Sequence, residues 1–421
     1  MRLTFDTNAS LGFGCGFSVT RPAARTIVLA SIGVVFKPRR LAAIVSLAVL
    51  AAAAAAAAQT SLLPPLSAGQ QPAPSLFGIN TGTYDRSEAR LDRDLPTAVE
   101  LGARWVHFTG DSIVYAHGQV SFALLDREVD SARKLGLGVV ISLGGIRAAC
   151  SITPAPSDPT HCPPTTAHDL SVYASYLATL LRHFAGRVAY YESWVEPNHT
   201  SMWAGGVNPA QYAALLETEY RVFQATAPAD KLMFAGVADF GIESASPSGI
   251  AVLPYTEQVL DDLAGQKAFD LVALHAYRYP PSLSPDDLGW TLYPVSPVWR
   301  QDTWTAQLEA YEAEFTAHGY GEPRVWLTEF GWPGNTVAST DYYPSLQAQA
   351  TDIAEAYEAL ESPALSFVQA AFWFNQRDYE AGLANPDPAF FAHYGLLFNN
   401  FKPKPAAGVF ERDARSSAPL G

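Results

Sequence analysis

The sequence predicts an α/β fold, a single-domain (β/α)8 TIM barrel, on three observations. Eight short runs of β-branched, aliphatic or aromatic residues alternate with helical runs of 3.6-residue period over roughly residues 76–412. Two of those runs end in a glutamate just before a Pro, Gly or Asn turn, and strand ends that open into loops are where parallel α/β folds carry their chemistry. The first run is followed by Asn80-Thr81-Gly82-Thr83. That is not the glycine-rich phosphate turn expected of the alternative architecture, an open doubly wound sheet.

The elements follow in order. Residues 1–58 read as a targeting segment: Lys37, Arg39 and Arg40 precede an apolar run from Leu41 to Ala58, with small residues at its end. The run is near the minimum for a membrane span. A cleaved secretory signal is the favoured reading and an uncleaved anchor the alternative. Residues before Lys37 fit such a segment poorly, which raises Val34 or Val35 as the start; N-terminal sequencing of the mature protein tests this. Residues 59–75, rich in Pro, Gln, Ser and Ala, read as a disordered linker. The strands are Leu76–Thr81, Arg104–Thr109, Leu137–Leu143, Val188–Trp194, Leu232–Val237, Leu271–His275, Arg324–Thr328 and Ser366–Phe372. The helices between them are Ala89–Leu101, Phe122–Leu135, Leu170–Phe184, Pro209–Thr226, Tyr255–Leu263, Thr303–Ala317 and Leu346–Leu360. The domain spans 76–412, and 413–421 form a tail.

Charge and cysteines narrow the function classes. The chain has 421 residues and a formal net charge of −14. Beyond residue 58, 21 Lys and Arg face 40 Asp and Glu, a net of −19. So acidic a body repels phosphate backbones, and nucleic acid is not an expected partner. Cys150 and Cys162 bracket a Pro/Ser/Thr loop. In an oxidising compartment they read as a disulfide, and otherwise as an incomplete metal pair with His161.

The chemistry lies in Trp194-Val195-Glu196-Pro197-Asn198 and Trp326-Leu327-Thr328-Glu329-Phe330-Gly331-Trp332. In a closed barrel the ends of the fourth and seventh strands share one rim. Two carboxylates facing one cleft, ringed by tryptophans, suit glycoside hydrolysis. One must be protonated to release the leaving oxygen, and the other ionised to attack the sugar carbon.

These motifs resemble those of the clan A retaining glycoside hydrolases, with family 39 and family 5-like enzymes the nearest. The resemblance covers the barrel from Phe77 to about Phe410. It implies that Glu196 is the acid/base and Glu329 the nucleophile. Leu274-His275-Ala276-Tyr277 resembles the clan's His-x-Tyr, so Tyr277 would donate to the nucleophile and His275 would line the sugar site. In Phe372-Trp373-Phe374, Trp373 resembles the aromatic floor on which a sugar stacks. Trp203 resembles a loop tryptophan of these families, Trp332 would be a further platform, and Asn80 and Asn198 polar contacts. The stretches His393–Leu397 and Lys402–Ala406 resemble the segment that closes these barrels.

Two departures from the pattern stand out. Val195 occupies the place of an asparagine whose amide bonds the sugar 2-hydroxyl. A hydroxyl left unpaired costs about 1–3 kcal/mol, so the sugar is expected to have an axial or substituted 2-hydroxyl or a furanose ring, unless another residue replaces the amide. His107, counted among the substrate-binding residues, follows Trp105-Val106 where the clan carries an arginine supporting the nucleophile; the weaker charge raises the pKa expected for Glu329. Asp111 stands where a more apolar loop is common. Together these point away from an ordinary glucan or xylan. The expected function is a secreted retaining glycoside hydrolase; the alternatives are a carbohydrate-binding barrel without turnover and a transglycosylase using the same residues. No cofactor or metal is expected, and a carbohydrate is the expected partner. The sequence leaves oligomeric state open.

Overall fold

The helical runs carry their own start signals. Thr166 and Asp169 form a capping box, in which each side chain accepts from the other's backbone amide. Asn208, Thr303 and Ser345 accept from amides three residues on. In the strands, residues of alternate parity face the barrel interior and the surrounding helices.

The computed structural model describes residues 63–417 except 82–87, 109–113, 117–118, 239–248, 279, 281, 288, 291–300, 337–343 and 380–388. The targeting segment, residues 59–62 of the linker, Thr109, Asp111 and residues 418–421 of the tail lie outside the described residues.

The barrel strands are β1 (Gly78–Asn80), β2 (Trp105–Phe108), β3 (Gly138–Ser142), β4 (Tyr190–Glu192), β5 (Lys231–Ala238), β6 (Leu271–His275), β7 (Val325–Phe330) and β8 (Val368–Trp373). All neighbours pair in parallel, and β8 closes on β1. The helices that follow them are α1 (Glu88–Glu100), α2 (Ala123–Lys134), α3 (Ala167–His183), α4 (Pro209–Thr226), α5 (Val252–Leu263), α6 (Trp304–Ala317), α7 (Leu346–Leu360) and α8 (Pro405–Ser416). The fold is the (β/α)8 barrel that the alternation predicts, and α8 takes up residues 413–416 of the expected tail. Two short hairpins lie outside the barrel sheet, Val114–Ala116 with Gln119–Ser121 and Gly289–Trp290 with Gln301–Asp302.

The interior is layered. Trp105, Val140, Tyr190, Met233, Leu271, Ala273, Trp326, Ala370 and Phe372 fill the lower part of the barrel. Gly78 and Gly138 make room there: a Cβ at either would run into the ring of Phe372 or of Trp105. Two residues further along their strands, Trp105, Val140, Tyr190, Ala273 and Trp326 are succeeded by His107, Ser142, Glu192, His275 and Thr328. A hydrogen-bonding layer thus lies directly on the apolar one.

Residues 63–75, expected as a disordered linker, are tied to the barrel by hydrogen bonds. Arg133 of α2 is buried and donates to the carbonyls of Leu66, Ser67, Gln70 and Arg187. Gly69 N bonds Gly186 O, and Trp105 Nε1 bonds Ala73 O at 2.9 Å. A Pro-rich segment with little apolar surface is held because its backbone carbonyls satisfy a buried guanidinium and an indole. Cys150 and Cys162 form a disulfide with Cα atoms 5.7 Å apart, closing the loop after β3.

Candidate active site

Glu196 reaches the barrel mouth through an irregular exit from β4. The strand ends at Glu192, two residues before the expected Trp194, because Trp194 takes φ 65° and Glu196 φ 47°. Left-handed backbone at non-glycine residues costs on the order of 1–2 kcal/mol each, and such strain concentrates at functional sites. The ladder continues across the break: Ser193 N donates to Met233 O and Glu196 N to Gly236 O, both at 3.0 Å. The kink turns Trp194 outward onto Trp203 (ring centroids 5.2 Å apart) and leaves the Glu196 side chain 14% exposed.

Glu329 is aimed by a second irregularity. The register of β7 shifts against β6 between Trp326 and Glu329, and against β8 between Leu327 and Phe330. A bulge places two successive residues against one partner and re-aims a side chain. Here Thr328 faces the interior and bonds Glu192, while Glu329 sits at the mouth with its side chain 11% exposed. Tyr277 OH donates to Glu329 Oε2 at 2.7 Å. An oxygen of Glu196, an oxygen of Glu329 and a ring nitrogen of His275 all lie within 4.8 Å of one another.

His275 is the centre of this group and is fully buried. Its Nδ1 lies 2.8 Å from Glu196 Oε1 and 3.6 Å from Glu329 Oε2; its Nε2 lies 3.6 Å from Glu192 Oε1. Burial opposes a charge on the ring, but the carboxylates of Glu329, Glu192 and Glu196 outweigh it and hold its pKa well above the usual histidine value. Glu329 is pushed upward, by burial first and by the charge of Glu196, against the pull of His275, Tyr277 and His107. The upward direction agrees with the sequence expectation, but the leading cause is burial, and His107 still lowers the value. These three side chains are the group among the described residues that could hold a metal ion. His275 Nδ1 and Glu196 Oε1, 2.8 Å apart, share one hydrogen between them.

Sequence reading missed Glu192. It lies fully buried below the pair, with Oε1 accepting from Thr328 Oγ1 and Gly236 N at 2.8 Å and Oε2 accepting from Ser142 Oγ at 2.5 Å. Burial would raise its pKa, but the hydrogen bonds and charges of His107 and His275 pull it far below the usual carboxylate range. Its signal was present: a charged residue at an inward position of an apolar strand, four before Glu196, requires buried partners.

Several residues expected as sugar contacts are placed in buried positions. Asn80 is 1% exposed and ties three strands, its Nδ2 donating to Thr328 O and its Oδ1 meeting His107 Nδ1. His107 is buried in the lower polar layer and meets Glu192 rather than the mouth. His275 lies beneath the carboxylates and does not line the opening. Asn198 bonds both the amide and the carbonyl of Ala238 and the carbonyl of Ile250, fastening the loop after β4 to the end of β5. Trp203, Trp332 and Trp373 are all 0% exposed, and their indole nitrogens bond Gln211, Leu283 and Tyr394. Rings enclosed on both faces cannot stack on a ligand. Trp373 packs outward on Phe330 and Trp332, whereas its neighbour Phe374 joins Tyr277, Phe391 and Tyr394 on the mouth side. The parity of β8 decides this: Phe372 fills the interior, Trp373 faces the helices, and Phe374 turns back inward.

No protein-family model matches the chain, and no curated protein matches it. Solved structures do. A family 39 glycoside hydrolase from the gut symbiont Bacteroides cellulosilyticus aligns with a TM-score of 0.58 at 20% identity, over 84% of this chain and 66% of that one. The GH39 enzyme from Xanthomonas axonopodis pv. citri aligns at 0.57 and 16%, over 83% and 68%. The GH5_18 structure from Streptomyces cattleya, solved with GlcNAc, aligns at 0.55 and 18%, over 83% and 82%. The chain therefore spans just under two thirds of the first of these. At such identities the likeness is one of fold: a (β/α)8 barrel resembling those of glycosidases.

Proposed function

We propose that the protein is a retaining glycoside hydrolase in which Glu329 is the nucleophile and Glu196 the general acid and base. One observation carries this reading. Glu196 and Glu329 stand at the ends of β4 and β7 with carboxylate oxygens within 4.8 Å of each other. Retaining enzymes hold their carboxyl groups about 5–5.5 Å apart, and inverting ones about 6.5–9.5 Å, leaving room for water.

In this reading Tyr277 pins Glu329 Oε2 and leaves Oε1 to attack the anomeric carbon. Glu196 gives its proton to the departing glycosidic oxygen, and a glycosyl ester forms on Glu329. Glu196, now ionised, takes a proton from water, which attacks the anomeric carbon and releases Glu329. Negative charge passes from Glu329 to Glu196 during the first half-reaction. His275 faces both carboxylates, so one cation stabilises each ionised state in turn. In the same reading Phe374, 5% exposed and edge-on to Tyr277, is the ring offered to the sugar in place of Trp373.

The substrate expected from Val195 is a sugar without an ordinary equatorial 2-hydroxyl. Secretion belongs to the same reading; among the described residues no helix is long and apolar enough to cross a membrane. The test is a glycan panel of mannans, arabinans, galactans and bacterial envelope polysaccharides beside β-glucans, with Glu329→Gln run in parallel. Wild-type cleavage with retained anomeric configuration, lost in the variant, is expected. Binding without cleavage by both proteins would overturn the reading in favour of a non-catalytic barrel, and longer rather than shorter products would make it a transglycosylase.

A further inference from the structure

The layer beneath the two carboxylates is joined by hydrogen bonds among Asn80, His107, Ser142, Glu192 and Thr328. Donor and acceptor roles can be read through it in sequence. Asn80 Nδ2 donates to Thr328 O at 2.9 Å, so Asn80 Oδ1 is the atom 2.5 Å from His107 Nδ1, and that nitrogen carries a hydrogen. Ser142 Oγ donates its only hydrogen to Glu192 Oε2, so at 2.5 Å from His107 Nε2 it accepts, and the second nitrogen carries a hydrogen as well. A ring that donates from both nitrogens is an imidazolium. Its Nε2 also lies 3.1 Å from Glu192 Oε2, and both side chains are wholly buried.

The opposite side of Glu192 faces His275. Gly236 of β5 lies beside both, and a Cβ there would collide with Glu192 Oε1 and with the His275 ring. The absence of a side chain therefore permits the approach, and the Gly236 amide adds a donor to Glu192. Glu192 accepts from β3, β5 and β7 and faces histidines from β2 and β6, so it has no freedom to rotate.

We propose that His107 is a buried cation clamping Glu192, and that Glu192 is a positioning residue that holds the His275 imidazolium against Glu196 and Glu329. With Glu196 protonated and Glu329 ionised, the two histidine charges balance Glu192 and Glu329, and the buried group is neutral as a whole. That balance explains how His107 can stand where the family resemblance leads one to expect an arginine: the charge reaches the mouth through Glu192 and His275 rather than directly. The titratable groups facing His275 are Glu192 and Glu196 at β4, Glu329 at β7 and Tyr277 on its own loop, with His107 of β2 behind Glu192.

The proposal rests on the reading of Glu196 and Glu329 as the catalytic pair, but its first test does not need a substrate. Histidine ring nitrogens are 15N-labelled in the full-length protein and followed by NMR from about pH 5 to 9, the span in which histidine titrates. His107→Gln and His275→Gln identify the signals. Wild type should show both nitrogens of His107 and of His275 protonated at neutral pH. Glu192→Gln should lower the His275 titration midpoint by at least about one pH unit, a tenfold change in its proton affinity. Should that variant fail to fold, Glu192→Asp, which keeps the charge but draws it back from both rings, should lower the His275 midpoint by a smaller amount. A neutral His107 ring in wild type, or a His275 midpoint unmoved in a folded Glu192→Gln protein, would overturn the proposal. Activity is the second readout: kcat should fall with KM little changed, and the alkaline limb of the pH profile should move with His275. Expected NMR shifts in a protein that cleaves no glycan would leave the clamp standing and sink the hydrolase reading. Unmoved shifts in an active enzyme would do the reverse.

Discussion

Tyr277→Phe removes one hydroxyl from the mouth and leaves the ring, whose edge contacts to Phe374 and Tyr394 lie at 6.0 and 5.6 Å between centroids. What is lost is a 2.7 Å hydrogen bond to Glu329 Oε2 between two groups each 8% exposed. A hydrogen bond to a buried charged group contributes about 1.5–3 kcal/mol. At 1.36 kcal/mol per tenfold, kcat/KM should fall about 10- to 150-fold. A directional effect accompanies the loss. Burial and Glu196 already push the pKa of Glu329 up, while His275 and Tyr277 restrain it. Removing Tyr277 sends it higher, so the acid limb of kcat/KM should move to higher pH. Stability follows the same sign: a carboxyl whose folded pKa exceeds its unfolded value contributes most below the unfolded value and loses that contribution as pH rises through the folded one. The stability difference between variant and wild type should therefore be smallest near about pH 4 and widen toward pH 8. The assays are pH–rate profiles on the cleaved glycan and thermal melts at both pH values. A variant within about twofold of wild type, with an unmoved acid limb, would refute Tyr277 as the group that holds the nucleophile ionised.

Asp352 of α7 is 5% exposed, has no hydrogen-bond partner for Oδ2 among the described residues, and is raised to about 7 by burial and then by Glu355 and Asp287. Its folded pKa exceeds the unfolded value, so its ionisation destabilises the fold as pH rises through about 7. Asp352→Asn should raise the melting temperature at pH 8 and change it little at pH 5, an effect of up to a few kcal/mol at about 1.4 per pH unit; equal shifts at both pH values would count against the assignment. Trp373→Ala should destabilise the protein by about 3–5 kcal/mol in denaturant titrations, as loss of a fully buried large ring does. Phe374→Ala should instead show its main effect in KM; a Trp373 variant that melts normally and loses only substrate affinity would restore Trp373 as the floor.

The barrel was legible because regular strands and helices repeat. Each of the eight predicted strand runs overlaps an observed strand, and the runs at Leu271–His275, Pro209–Thr226 and Leu346–Leu360 have the observed bounds. The strand-end glutamates were legible for the same reason: a motif ending in a turn places its carboxylate at the rim whatever the loop does next. Side-chain destination was harder to read. Asn80, Asn198 and His107 are polar residues at strand ends and looked like ligand contacts, but each is committed to backbone or side chains of strands far away in sequence. Trp373 was read as a sugar floor from the resemblance, Trp332 as a further platform and Trp203 as a loop tryptophan, yet all three are buried in the barrel's outer packing layer. Residues 63–75 looked disordered by composition because composition records side chains, whereas this strap is held by its carbonyls.

By itself, the sequence determined the alternation that builds the barrel, the disulfide pair Cys150 and Cys162, and the rim positions of Glu196, Glu329 and Tyr277. Only the tertiary structure decided which residues face the mouth and which support them from below. The physical reason is that alternation assigns a face only while the strand stays regular. The left-handed residues Trp194 and Glu196 and the bulge in β7 each change that parity locally. The polar layer around Glu192 depends further on closure, because His107, Ser142, Gly236, His275 and Thr328 become its neighbours only when six strands are drawn around one axis.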